Sequence, residues 1–146
     1  MSVADLRSAG RSLALVALIG FAGLLALAAA ASEPPDWKSV ADVDTVSVAT
    51  SNPDGTLRYT TVWLVVVGGR GYLRTGNTTW GANVDRDPNV TLVIRKQEYA
   101  LRAESVEADD ERAQVMAAFN AKYGWSDTMT GWFRGARPKI LRLASF

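Results

Sequence analysis

Polar positions all but vanish between Thr61 and Val67, a run of seven residues rich in Val, Leu and Trp. A β-branched and aromatic run of this length reads as a strand buried on both faces, and it is too short for a helix of equal burial. Gly68, Gly69 and Gly71 follow as a turn, and Tyr72 to Thr75 as a second strand. Upstream, Thr45 to Thr50 alternates Val46, Val48 and Thr50 with Thr45, Ser47 and Ala49, a strand pattern. The turn sequence Asn52-Pro53-Asp54-Gly55 closes it as a hairpin onto the central strand. Downstream, Gly76 to Asn83 is a polar segment of hydroxyls, amides and a tryptophan, the likeliest seat for a ligand.

Two more strands and then a segment of different period follow. Asp87-Pro88-Asn89 breaks the chain, and Val90 to Ile94 and Tyr99 to Val106 read as strands around the polar turn Arg95 to Glu98. Asp109 to Tyr123 is predicted to be helical. Acid gathers at its start, Val115, Met116, Phe119 and Tyr123 form a stripe at helical spacing, and Gly124 supplies the stop. Trp125 to Gly135 reads as loop, with Trp132 and Phe133 free to cover a neighbouring surface, and Pro138 to Leu143 as a last strand. Strands joined by short turns favour a small antiparallel barrel, closed or nearly closed, with an open α+β sheet as the alternative.

The amino-terminal end is of another kind. Ser12 to Ala31 carries no charge over twenty residues, behind Arg7 and Arg11. That length crosses a bilayer as a helix, and the basic flank places the amino terminus in the cytoplasm and the rest outside. The same stretch reads equally as a secretory signal cleaved near Ala31. The expected organisation is therefore an anchor or signal over 1–31, an extended linker over 32–36 with Pro34 and Pro35, and one domain over 37–146.

Composition narrows the chemistry. Sixteen basic against fifteen acidic residues leave a net charge of +1, so no global field draws the chain to nucleic acid. The chain has no Cys and no His, which excludes a disulfide, a thiol nucleophile, an imidazole base and the common zinc sites. Carboxylate or hydroxyl chemistry remains, or chemistry carried by a bound organic cofactor. Asp85 and Asp87 could pair for hydrolysis, but a lone Asp-x-Asp has no motif around it.

One resemblance adds to this. A strand ending in Arg74-Thr75-Gly76, Trp80, and the run from Asn83 to Leu92 with its Asp87-Pro88-Asn89-Val90 turn resemble the pyridoxamine phosphate oxidase-like split β-barrel flavoproteins. The deazaflavin-dependent nitroreductase and quinone-reductase branch is the most similar. The resemblance implies a mainly β fold, a small antiparallel split β-barrel with one long helix. It further implies a homodimer that holds FMN or a deazaflavin coenzyme in a groove between subunits and reduces a small electrophile such as a quinone or nitro compound. By the same resemblance Val62 and Trp63 lie on the strand lining the ring, Arg74, Thr75 and Gly76 hold the phosphate, and Thr78, Thr79, Trp80 and Asn83 complete the pocket. No catalytic residue and no metal ligand is implied. Asn77 stands where the family often has a basic residue, which leaves Arg58, Arg74 or Arg86 to meet the phosphate. Arg74 could equally face solvent, Trp63 be core and Trp80 a plug over the barrel end. The alternative function is a non-catalytic exported barrel used for dimerisation or for binding a small apolar ligand.

Overall fold

The structure is a computed structural model that describes residues 33–124 and 137–146. The apolar segment Ser12 to Ala31, and Trp125, Trp132 and Phe133, lie outside the described residues. Among the described residues no helix is long and apolar enough to cross a membrane.

The described residues form six strands and two helices in the order β1 (Thr45–Ser51), β2 (Leu57–Val67), β3 (Arg70–Thr75), α1 (Thr79–Arg86), β4 (Asn89–Ile94), β5 (Gln97–Ser105), α2 (Asp109–Tyr123) and β6 (Lys139–Ala144). The strands close into an antiparallel barrel in the order β1-β2-β3-β6-β5-β4, with β4 returning to β1. The β1–β2 hairpin turns as its sequence predicts. Asn52 N–H donates to Thr56 O at 2.8 Å, and Asp54 accepts from the Thr56 amide and hydroxyl, at 3.0 and 2.6 Å. Gly68 and Gly69 both have positive φ, which lets β2 turn into β3 within two residues.

Gly71 is not part of that turn. It lies inside β3, where a Cβ would stand 2.2 Å from the Trp37 ring. The missing side chain makes room for the indole of Trp37, which plugs one end of the barrel among Val40, Leu73 and Leu143.

The polar segment after β3 is a helix rather than a loop. Its threonines, glycine and asparagine have poor helix propensity. What holds it is a cap and a buried face: Thr78 accepts from the Gly81 N–H at 3.1 Å, and Trp80 and Val84, four residues apart, enter the barrel core. α1 thus closes the end of the barrel opposite Trp37.

α2 packs outside the barrel. Val115 and Phe119 sit against Val65, Tyr72 and Ile140, which point outward from their strands, and against Val106 just past the end of β5. This cover explains why β2 is enclosed on both faces only from Leu64 onward. Thr61 and Trp63 face outward before the covered region and remain exposed, so the expectation of a doubly buried strand fails for that half. The carboxyl end of α2 is tied to the start of the domain. Lys122 Nζ donates to the carbonyls of Ala41, Val43 and Leu64 at 3.1, 2.5 and 2.9 Å.

Candidate functional site

A cavity of about 490 Å³ opens where β2 runs past β3. The two strands pair only from Leu64↔Leu73 to Val67↔Arg70, because β3 ends at Thr75 and the chain turns away into α1. Leu64 N–H donates to Asp44 O on the β1 side at 3.2 Å. Backbone groups alternate along an antiparallel strand, so those of Thr61 and Trp63 point away from β1 and toward the cavity. An open strand edge therefore forms one wall. The amino end of α1 forms the second, and Phe119 and Arg74 the third.

Val62, Trp63, Arg74 and Thr75 all line this cavity, as do Gly76, Thr78, Thr79 and Trp80. Asn83 does not. It is buried at 1% exposure, and its Nδ2 donates to Thr50 Oγ1 at 3.1 Å and to Asn52 Oδ1 at 2.9 Å. It clamps α1 to the β1–β2 hairpin and is not among the residues that line the cavity. Arg86 is likewise engaged elsewhere, with Ser51 O and Asn83 Oδ1. Arg58 and Arg74 are the cations that line the cavity among the described residues.

Each remaining side chain has a definable state. Arg74 is half-buried, its guanidinium 4.6 Å over the Phe119 ring and Nη1 3.8 Å from Met116 Sδ. Burial lowers its pKa, yet a guanidinium stays charged at neutral pH. It neither simply faces solvent nor leaves the cavity. Thr75 is buried, and its hydroxyl lies 2.6 Å from that of Thr78, so it braces the cap of α1. Gly81 lets the two threonines pack against the helix, since a Cβ there would lie 3.0 Å from Thr75 Oγ1. Helix geometry leaves the Thr79 and Trp80 N–H groups without an intrahelical acceptor, beside the cavity. Trp80 is 5% exposed and packs into the barrel core as well as lining the cavity, so plug and wall are one residue. Trp63 is 37% exposed and stacks on Tyr123, so it is wall and not core.

Thr45, Thr60, Thr61 and Phe119 also line the cavity, and sequence reasoning missed them. Thr60 Oγ1 is buried and, among the described residues, has no hydrogen-bond partner. A buried hydroxyl without a partner costs roughly 1–3 kcal/mol, which a ligand group would recover. The alternation of β2 could have found Thr60 and Thr61, but Phe119 read as helix packing and only the docking of α2 brings it here.

The fold is a split β-barrel like that of the pyridoxamine phosphate oxidase-like proteins, with the candidate site at the open edge of β2. The chain belongs to the family DUF2255, described as an uncharacterized protein conserved in bacteria, whose model matches residues 36–143. No curated protein matches the sequence. Among solved structures the chain is similar to HutZ, the heme storage protein of Vibrio cholerae, at 19% identity and TM-score 0.60, over 77% of this chain and 89% of that one. It is also similar to a candidate pyridoxamine 5′-phosphate oxidase from Listeria innocua, at 13% identity and TM-score 0.53, over 70% and 83% of the two chains. An F420 reductase aligns at 17% identity and TM-score 0.53, over 78% and 96%. At such identities these likenesses speak for the fold alone.

Proposed function

We propose that this chain binds a flavin or deazaflavin coenzyme in the β2-edge cavity and serves the reduction of a small electrophile such as a quinone or nitro compound. The observation that carries the reading is the lining itself. Arg58, Arg74 and threonine hydroxyls meet indole and phenyl rings in one cavity, and no carboxylate lines it among the described residues. Such a site suits a planar ring with an anionic tail. Its volume also falls within the usual range of small-molecule pockets.

The chain's residues divide the work. Arg74 and Arg58, with the free N–H groups at the start of α1, meet the phosphate, since cations and close backbone amides bind it by charge-assisted hydrogen bonds. The open edge of β2 and the Thr60 hydroxyl offer donors and acceptors to polar atoms of the ring. When bound, the reduced coenzyme supplies hydride to the electrophile. The described lining residues carry hydroxyl and guanidinium groups and no imidazole, thiol or carboxyl. Heme fits this chain less well, because with neither His nor Cys its iron would have to rely on Tyr, Met or Lys.

The same reading has the protein act as a homodimer, tethered by residues 12–31 or released outside the cytoplasm. Leu57 and Tyr59, each 59% exposed, stand on the same outward face of β2 as Trp63 and extend an apolar strip beyond the cavity. Light scattering at micromolar concentration should return a dimer, and protease added to intact spheroplasts should reach the domain.

The deciding experiment is a titration of FMN and of a deazaflavin coenzyme, followed by tryptophan or flavin fluorescence. Arg74→Ala should weaken binding by about 1.5–3 kcal/mol, roughly tenfold or more, while the exposed control Arg102→Ala changes nothing. If neither coenzyme binds at tens of micromolar, or if the two variants behave alike, the coenzyme reading fails and a non-catalytic binding barrel replaces it.

A further inference from the structure

The aromatic rings along the outer cavity wall form a series. Trp63 and Tyr123 stack with ring centroids 4.6 Å apart and planes 7° from parallel. Phe119 follows at 6.0 Å from Tyr123, and the Arg74 guanidinium lies over Phe119. Trp63, Phe119 and Arg74 line the cavity, whereas Tyr123 does not. Tyr123 backs the indole instead.

Tyr123 is held from its far end. Its hydroxyl accepts from the Leu64 N–H at 3.2 Å and lies 2.6 Å from both the Leu64 and Asp44 carbonyls. Lys122, the preceding residue, grips the same Leu64 carbonyl. Leu64 is the neighbour of Trp63 on β2, so the ring that backs the indole is fixed to the strand that carries it. The indole is large, apolar and 37% exposed, yet its orientation is set before any ligand arrives. A wall ordered in advance spares the ligand the cost of ordering it.

We infer that Trp63 is the stacking seat for a planar, electron-poor ring, and that Tyr123 is the positioning residue that holds it; the inference rests on the coenzyme reading above and extends it. The face of an indole is electron-rich and attracts rings whose own electron density is withdrawn. An oxidised flavin ring and a quinone or nitroaromatic electrophile share that chemistry, and the test separates them.

The full chain is titrated by equilibrium dialysis with two probes, riboflavin, which has the coenzyme ring without its phosphate, and anthraquinone-2-sulfonate. Trp63→Leu should weaken at least one of them about tenfold. Loss for riboflavin alone assigns the seat to the coenzyme ring, loss for the quinone alone assigns it to the electrophile, and loss for both makes it a shared seat. Tyr123→Leu should reproduce the Trp63→Leu loss, and Tyr123→Phe, which keeps the stacked ring but gives up the hydroxyl anchor, should fall between Tyr123→Leu and the unaltered chain. A merely structural role for Tyr123 would follow the hydroxyl alone, so Tyr123→Phe and Tyr123→Leu would lose affinity alike. Unchanged affinity for both probes in Trp63→Leu, or no binding of either to the unaltered chain, overturns the inference. FMN binding that depends on Arg74, with neither probe's binding dependent on Trp63, would sink the stacking seat and leave the coenzyme reading standing. Quinone binding through Trp63 without FMN binding would do the reverse.

Discussion

Replacing Asn83 by Ala tests whether this residue is a clamp or a ligand group. Its amide is buried and donates to Thr50 Oγ1 and Asn52 Oδ1, tying α1 to the hairpin that leads into β2. Each bond contributes about 0.5–1.5 kcal/mol. Thr50 is itself 1% exposed, so its hydroxyl loses a partner where water does not readily replace it. Together these put the cost at about 2–4 kcal/mol, a large part of the stability of a small domain. In a domain of this size that lowers Tm by roughly 10–20 °C. Urea denaturation should show a lower midpoint with an unchanged slope, the sign of altered stability without altered compactness. A second variant sharpens the test. Thr50→Val should cost less in the Asn83→Ala background than alone, with a coupling of about 0.5–1.5 kcal/mol, since the shared bond is already gone. A loss below about 0.5 kcal/mol, or strict additivity of the two changes, would refute the clamp. Weaker coenzyme binding with full stability would return Asn83 to the pocket.

The other predictions concern packing and charge. Gly71→Ala should destabilise by about 1–3 kcal/mol or more, because its Cβ would enter the Trp37 ring, and Trp37→Leu in the same chain should recover part of the loss in thermal melts. Glu111 has its pKa lowered by the Tyr72 hydroxyl at 2.8 Å, and further by Arg142, against the opposing effect of burial. A carboxyl depressed in the folded state stabilises above its unfolded pKa and loses that contribution as pH falls through the folded value. Stability of Glu111→Gln should therefore fall less steeply than that of the unaltered chain below about pH 4.5. Parallel acid limbs in denaturant titrations would contradict this.

The sequence by itself determined the elements whose signals are local. The Asn52-Pro53-Asp54-Gly55 turn joins β1 to β2, acid at the start and Gly124 at the end bound α2, and alternation marks β1 and β4. The order Arg74-Thr75-Gly76, Trp80 and Asp87-Pro88-Asn89 pointed to the barrel class for the same reason, since close spacing survives in sequence. Tertiary structure decided the rest. α1 exists because Trp80 and Val84 have a barrel end to fill, and no propensity scale rewards Thr-Trp-Gly-Ala-Asn with a helix. Trp63 and Val65 are both outward-facing on one apolar strand, and only the reach of α2 leaves the first exposed and buries the second. Phe119 lines the cavity and Asn83 bonds to the hairpin on the same ground. Which face a helix presents is written in its periodicity, but which neighbours that face meets depends on closure of the barrel, through contacts between residues tens of positions apart.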